Sequence, residues 1–148
     1  MIDTEDSNYA EQSVIGGLML LSDPESELMQ KVISSLKDSS FYKLIHRRLF
    51  STIKKIVLNG GYVDLVTIEA AFESAYGKDK DLFMYLANIM KQTPSAANIL
   101  AYTQIVRECA IERYAVNKLQ DLIGSFSDKS QGDVYQRLGL IESAVNDI

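Results

Sequence analysis

The residues that could take part in catalysis are few in this chain, and His46 and Cys109 are the strongest candidates. A histidine can act as a general base and a cysteine as a nucleophile. The two stand far apart in the sequence, however, and each lies among apolar residues at helical spacing. A single helical histidine is more often a packing or capping residue, and a lone cysteine more often a small core hydrophobe. The sequence therefore predicts no catalytic residue.

Sites for nucleotides and metal ions have equally little support. Gly77-Lys78 lacks the earlier glycine and the following Ser or Thr of a phosphate-binding loop, and no predicted strand leads into it. With one histidine and one cysteine, metal ligation would fall to carboxylates alone, and their spacing matches neither a calcium loop nor a Glu-x-x-His pair. We predict no cofactor, no metal and no enzymatic activity for this chain by itself.

The balance of charge argues against nucleic acid as a direct, tightly bound ligand. The chain has 15 Lys and Arg residues against 20 Asp and Glu residues, a formal net charge of −5, whereas phosphate backbones are bound by clustered Lys and Arg. The one local basic cluster, at Lys43, Arg47 and Arg48 with Lys54 and Lys55 after it, interleaves with apolar residues. That pattern is typical of the solvated face of an amphipathic helix.

The composition favours a cytoplasmic globular protein without membrane contact. Of 148 residues, 47% are hydrophobic and 24% charged, as in soluble domains with a real core. No apolar run approaches the roughly twenty residues that a membrane helix needs, and the acidic start, residues 1–6, shows no signal-peptide pattern. A single cysteine cannot form an internal disulfide, which agrees with a reducing compartment.

Helices are predicted throughout the chain. No segment alternates apolar and polar residues as a half-buried strand would. Five helices are expected before Pro94, and capping or turn residues mark their starts: Asn8 with Glu11, Asp23-Pro24, Ser39-Ser40, Asp64, and about Lys80. Gly16 and Gly17 lie inside the first helix, where each costs roughly 1 kcal/mol relative to alanine. We therefore expect another helix to pack closely against them.

Pro94 divides the chain, because it cannot continue a helix and disfavours the helical conformation of the residue before it. After it the apolar residues recur at spacings of three and four, with no glycine before Gly124, which predicts one helix from Ile99 to Phe126. Average helices have only about eleven or twelve residues. The predicted division is 1–94 for a globular head and 95–148 for a long helix and helical hairpin. The fold class is all-α, a helical-bundle head followed by a long hairpin.

The second arm of this hairpin follows a polar loop at residues 127–132. Its apolar residues, from Val134 to Val145, step by four, three and four, and Ala115 to Phe126 repeat the rhythm on the first arm. Two helices bury only one apolar seam between them, so the apolar residues outside this seam remain exposed to solvent. We therefore predict an association surface. Together with Tyr85, which is assigned below, the predicted interface residues are Val116, Leu119, Leu122, Ile123, Phe126, Val134, Leu138 and Ile141.

Five blocks of sequence, in order from about Tyr9 to Arg113, carry a family resemblance. They are Glu11-Gln12-Ser13-Val14-Ile15-Gly16-Gly17-Leu18-Met19-Leu20, Phe41-Tyr42 with His46 and Leu49-Phe50, Asp64-Leu65-Val66-Thr67, Tyr85-Leu86-Ala87, and Thr93-Pro94-Ser95-Ala96-Ala97-Asn98-Ile99 with Ala101-Tyr102 and Ile105-Val106-Arg107-Glu108. In type and spacing these blocks resemble the N-terminal domain of DnaB-family bacterial replicative helicases.

The resemblance implies a head of about six helices and a hairpin that pairs with a neighbour's hairpin. Three such dimers would form a collar on the hexameric ATPase motor, and primase would dock on that collar, with a helicase loader as a further candidate partner. Positions that resemble the family's collar and primase-facing apolar sites are Tyr85, Val116, Leu122 and Leu138. The expected function is therefore protomer dimerisation, hexamer assembly and primase docking in DNA replication.

Other readings stay open. The chain ends at Ile148, before any motor, so it is either a fragment of a longer helicase, which we favour, or a stand-alone phage- or plasmid-borne protein that binds a host helicase by mimicking its collar. The length of the native open reading frame separates these two. A helical ligand-binding regulatory domain would need convergent polar residues in an apolar cleft between head and hairpin, and the sequence shows no such set.

Overall fold

The computed structural model describes residues 4–148, with side chains described from Ser7 onward. The acidic start noted in the sequence, residues 1–6, lies outside the described side chains. Seven α-helices run in the order α1 Thr4–Leu21, α2 Glu27–Ser35, α3 Leu44–Leu58, α4 Leu65–Tyr76, α5 Leu82–Gln92, α6 Ile99–Ser127 and α7 Val134–Asn146. Two short 3-10 turns, Asp38–Ser40 and Lys129–Gln131, precede α3 and α7. No strand occurs in this described part, and the predicted all-α fold class is confirmed.

Contacts divide the chain into two compact units, Met1–Ala110 and Ile111–Ile148, which we call the head unit and the hairpin unit. The division falls inside α6, because the first turns of this helix bury Ile99, Thr103 and Val106. It therefore differs from the division at 94/95 drawn from the sequence, which marks where the segment leading into α6 starts. That earlier division stays a prediction about how the chain folds.

The head unit has one apolar core, to which α1 to α5 and the start of α6 all contribute. Phe41 and Phe50 lie fully buried in it, with ring centroids 5.0 Å apart. On α1 the side chains of Val14, Ile15 and Leu18 have no exposed area. These three sit at the spacing predicted for the inner face of an amphipathic helix.

The glycine pair of α1 lies where neighbouring elements leave no room for a side chain. A Cβ on Gly16 would stand 2.8 Å from Cβ of Thr93 and 3.1 Å from Cγ2 of Ile89. A Cβ on Gly17 would stand 2.7 Å from Cδ1 of Ile99. The end of α5 and the start of α6 thus pack directly on the backbone of α1, and the predicted close approach is confirmed.

The predicted starts of the first two helices are wrong. Helix α1 begins at Thr4, before Asn8, so Glu11 lies inside the helix and cannot cap it. Helix α2 begins at Glu27, after Ser26, whose Oγ accepts a hydrogen bond from the Met29 amide at 3.3 Å. Capping preferences show that a helix starts near these residues, but not which of several nearby candidates is the cap.

Later boundaries are closer to expectation. Ser39-Ser40 forms a 3-10 turn, and α3 itself begins only at Leu44. The predicted cap of α4 is confirmed, since Asp64 Oδ1 accepts from the Thr67 amide at 2.8 Å. The long helix is confirmed as well, beginning at Ile99 and ending one residue beyond the predicted Phe126.

Candidate protein interface

The side chains of the hairpin unit, residues 111–148, are all described, and none of them is buried. Apolar side chains on both arms are instead open to solvent: Ile123 is 67% exposed, Leu119 47% and Leu138 45%. Monomeric proteins rarely leave such residues uncovered in a contiguous group. The hairpin unit therefore presents apolar side chains that no other described part of the unit covers.

An apolar groove of about 440 Å³ runs along this unit, with α6 on one side and α7 on the other. Seven of its eight lining residues are apolar, and the eighth offers one hydroxyl. They are Leu119, Leu122, Ile123, Phe126, Ser127, Leu138, Ile141 and Val145. Pockets for small polar ligands combine apolar walls with several converging polar groups, whereas the centres of protein interfaces are apolar. The lining suits an apolar protein surface.

The structure brings together six of the nine predicted interface residues in this groove: Leu119, Leu122, Ile123, Phe126, Leu138 and Ile141. Val116 and Val134, each 43% exposed, do not line it. Val145 lines it and was not among the predicted interface residues. Its signal was present in the sequence, as the step of four from Ile141, but it lies at the end of the chain.

Tyr85, the remaining predicted interface residue, belongs to the head unit and takes part in a polar network there. Its hydroxyl lies 2.5 Å from Nε2 of His46 and accepts a hydrogen bond from Nε2 of Gln12 at 3.3 Å. Burial raises the pKa of Tyr85 above its ordinary value; the bond from Gln12 opposes this and the negative charge of Glu11 adds to it. The hydroxyl is thus held within the head, and only the ring of this half-buried side chain is left for a partner.

Glu11 is the centre of that network and has no exposed area. Its carboxylate accepts hydrogen bonds from the backbone amides of Tyr42 at 2.7 Å and Lys43 at 3.4 Å, and from Oγ of Ser7 at 3.3 Å. His46 Nδ1 lies 2.7 Å from Oε1 of Glu11. Because an ionised carboxylate only accepts, this nitrogen carries the hydrogen.

This arrangement corrects the role that the sequence suggested for Glu11. Instead of capping its own helix, the side chain satisfies free amides at the start of α3, where Lys43 supplies no side-chain cap. Burial alone would raise the pKa of Glu11, but hydrogen bonds from His46, Tyr42 and Lys43 and the charge of His46 together hold the pKa below its ordinary value. A buried carboxylate without Lys or Arg partners is thereby kept ionised.

The two candidate catalytic residues are not assembled into a reactive site. His46 is fully buried and both of its ring nitrogens are engaged, by Glu11 and Tyr85. Cys109 is a free, half-buried thiol on α6. The basic cluster is also engaged locally, since Arg47 Nε donates to the Phe41 carbonyl at 2.7 Å.

Among residues 7–148, whose side chains are described, no three His, Cys, Asp or Glu residues are grouped in a way that could hold a metal ion. None of the helices in that stretch combines the length and apolarity required to cross a membrane.

Comparison with known proteins gives consistent results. Residues 3–108 match the family described as the DnaB-like helicase N-terminal domain. The chain is 36% identical over 129 residues to the replicative DNA helicase DnaB of Haemophilus influenzae, covering 84% of this chain and 26% of that protein. It is 31% identical over 147 residues to DnaB of Buchnera aphidicola subsp. Baizongia pistaciae, covering 98% of this chain and 31% of that protein.

A solved structure covers nearly the whole chain. The crystal structure of the N-terminal domain of DnaB helicase from Mycobacterium tuberculosis superposes with a TM-score of 0.77 at 26% identity, over 95% of this chain and 96% of that one. The chain therefore spans between a quarter and a third of the length of the two relatives, and nearly all of the solved domain.

Proposed function

The chain belongs to the DnaB-like helicase N-terminal domain family, and from that premise we propose that it is an assembly domain of a replicative helicase that dimerises through its hairpin groove. The family resemblance drawn from the sequence blocks is confirmed. Dimers of this kind would build the collar of a hexameric helicase. The ATP-dependent motor activity and the cytoplasmic location belong to that proposed larger assembly.

One observation carries the proposal: the hairpin unit combines an open apolar groove with the lack of any buried side chain in residues 111–148. Removing apolar surface from water is worth about 25 cal/mol per Å², and seven apolar residues line the groove together. A second copy offers the same stripe on its own hairpin. Two-fold pairing of identical patches is the commonest way in which such surfaces close.

Primase docking is the second part of the proposal. Leu122 and Leu138 line the groove and would be covered by self-association. Val116 lies outside it and is 43% exposed, so a hairpin dimer would leave it free for a different partner. We therefore assign primase contact to Val116 first, with the ring of Tyr85 as a candidate on the head unit, and keep a helicase loader as a candidate occupant of the same surfaces.

Sedimentation velocity over a concentration series tests the self-association. Ile123→Asp places a charge in the groove at a position already 67% exposed, so the fold of the single chain should tolerate it. Val66→Asp is the matched control, because Val66 is 73% exposed on α4 of the head unit. A lost interface anchor costs about 2 kcal/mol or more per copy, and a symmetric dimer contains two. Ile123→Asp should therefore weaken dimerisation by about a thousandfold.

Comparison of wild type, Ile123→Asp and the control Val66→Asp shows which surface mediates self-association. Equal association of Ile123→Asp and wild type, or a wild type that stays monomeric at high concentration, would show that the groove is not a self-association surface. Equal weakening by Val66→Asp would point to the head unit instead.

A pull-down against the cognate primase and against intact helicase tests the second part. Val116→Ala should lower primase recovery and leave the sedimentation of the isolated chain unchanged. The stand-alone alternative predicts a different result, namely that the chain binds the intact helicase more tightly than it binds itself. Incubation with ATP and single-stranded DNA should give no hydrolysis above background.

A further inference from the structure

Arg137, in the first turns of α7, reaches back across the loop to the end of α6. Its Nη1 donates a hydrogen bond to the carbonyl of Phe126 at 2.5 Å, and its Nε donates to the carbonyl of Gly132 at 3.1 Å. The guanidinium carbon lies 5.1 Å from the centroid of the Phe126 ring. One side chain thus joins the last turn of the first arm, the loop, and the first turn of the second arm.

The Phe126 carbonyl is well placed to receive such a bond. Helix α6 ends at Ser127, so the carbonyl of Phe126 lies among the last four of the helix, which have no donor within it. A cation at a helix C-terminus is also favoured by the helix dipole. An arginine can bind there through a planar fork and stack on an aromatic ring at the same time.

The position of this arginine matters because packing within the hairpin unit is weak. No side chain of residues 111–148 is buried, so no interior core holds the two arms at a set separation. Phe126 lines the groove on the α6 side, and Leu138, the neighbour of Arg137, lines it on the α7 side. The bonds of Arg137 therefore connect the two walls directly at their closed end.

We propose that Arg137 is a positioning residue for self-association: it does not line the groove, but it sets the separation and angle of the two walls that a second copy must match. This rests on the proposed dimerisation through the groove. A polar side chain at the turn thereby controls an apolar interface that lies along the arms.

The first test compares Arg137→Gln and Arg137→Lys on α7 with Arg107→Gln, a control that removes an exposed arginine from the part of α6 that belongs to the head unit. Both Arg137 variants should weaken dimerisation by about tenfold or more in sedimentation velocity, since hydrogen bonds from a charged donor are stronger than neutral ones. Lysine keeps the positive charge but lacks the planar guanidinium with its several N–H donors, so Arg137→Lys should associate little better than Arg137→Gln. Arg107→Gln should associate as wild type does.

The second test measures the arms themselves. Spin labels on cysteines at Lys118 and Glu142, exposed positions on α6 and α7 outside the groove lining, report the distance between the arms once Cys109 is replaced by serine. The measurement is made in the Ile123→Asp background, in which we expect the chain to be monomeric. Arg137→Gln should broaden or shift the distance distribution, while circular dichroism shows the helix content unchanged.

The outcomes separate this inference from the proposed function. If Ile123→Asp abolishes association while the Arg137 variants dimerise as wild type, the inference fails and the function stands. Weakened association with an unchanged distance distribution also overturns it, because Arg137 would then be a direct contact. If the wild type does not associate at all, the function fails. The distance distribution still decides whether Arg137 positions the arms, and an unaltered distribution overturns that part too.

Discussion

The head unit and the hairpin unit use apolar residues in opposite ways. Every helix of the head contributes side chains to one core, where Phe50, Ile53 and Leu86 have no exposed area. The hairpin has as clear an apolar stripe, yet none of its side chains in residues 111–148 is buried. Apolar periodicity alone therefore does not distinguish a folding core from a binding surface. The difference is whether the same chain supplies the covering layer.

The polar networks of the two units also differ in burial: the network in the head is buried, and the one in the hairpin is exposed. In the head, Glu11 and His46 are fully buried and joined at 2.7 Å, so losing one partner leaves the other unsatisfied inside the core. In the hairpin, the polar bonds lie at the exposed turn, where Asp128 accepts from the Ser130 hydroxyl at 2.7 Å. Bonds from Ser130 and Gln131 and the charge of Arg137 hold the pKa of Asp128 below its ordinary value, against a small opposing effect of burial.

The largest expected effect separates the two kinds of apolar residue. Phe50→Ala should lower the free energy of unfolding by about 3–5 kcal/mol, because it empties a fully buried site. Leu138→Ala should lower it by less than about 1 kcal/mol in the monomer, since the side chain is 45% exposed, but should weaken dimerisation. Urea denaturation at low protein concentration, paired with sedimentation, measures both. A loss of about 2 kcal/mol or more for monomeric Leu138→Ala would show that the hairpin has a core of its own.

The next effect concerns the buried carboxylate. Glu11→Ala removes the acceptor for two backbone amides, a serine hydroxyl and His46, so it should destabilise the head by about 3 kcal/mol. An Asp133→Ala change at the exposed cap of α7 should cost only about 1 kcal/mol of helix stability. If the two variants melt alike, the contrast between buried and exposed polar networks would not hold.

Glu11 also predicts the acid sensitivity of the head. Its folded pKa lies below the ordinary value of 4.5, so the unfolded chain binds the proton more readily. The stability that Glu11 contributes is therefore complete above about pH 4.5 and is lost as pH falls from there through the folded pKa. Unfolding free energies of wild type and Glu11→Gln, measured between neutral pH and pH 3, should converge on acidification. A constant gap between the two curves would contradict this assignment.

A matched pair of glycine substitutions should give effects of opposite sign. Gly16→Ala forces a methyl group to within 2.8 Å of Cβ of Thr93, and such overpacking costs about 1–3 kcal/mol. Gly124→Ala lies in the hairpin part of α6 with no neighbour within 4 Å, so helix propensity should stabilise it by up to about 1 kcal/mol. Thermal melts of the two variants measure the sign of each stability change. Stabilisation of Gly16→Ala would mean that α1 does not pack as closely as described.

The smallest expected effect tests whether Tyr85 acts in the fold or in binding. Tyr85→Phe removes the hydroxyl that faces His46 and Gln12 and should cost about 1 kcal/mol of stability. Because the ring remains, primase binding should not change. Reduced primase affinity without any change in the melt would instead place the hydroxyl itself at the interface.

Much of the fold could be predicted because its signals are local. Pro94 and the cap at Asp64 each act on the backbone within a few residues, and α4 and α6 begin where these signals predict. The periodic stripe of the hairpin is also local, so five of the six predicted groove residues could be identified from their spacing, and Ile123 was predicted as an apolar position outside the seam. The glycine pair of α1 predicted close packing for a similar reason, since its cost in a helix needs a compensating contact.

The rest was decided by tertiary structure, because it depends on residues far apart in the chain. Glu11 meets the amide of Tyr42 31 residues away and His46 35 residues away, and no local pattern distinguishes that use from a cap on its own helix. The sequence likewise determines that the hairpin stripe is apolar, whereas its exposure depends on whether any other element of the chain reaches it. Burial is a property of the whole packed chain, and helical periodicity specifies only which face of an element is available for burial.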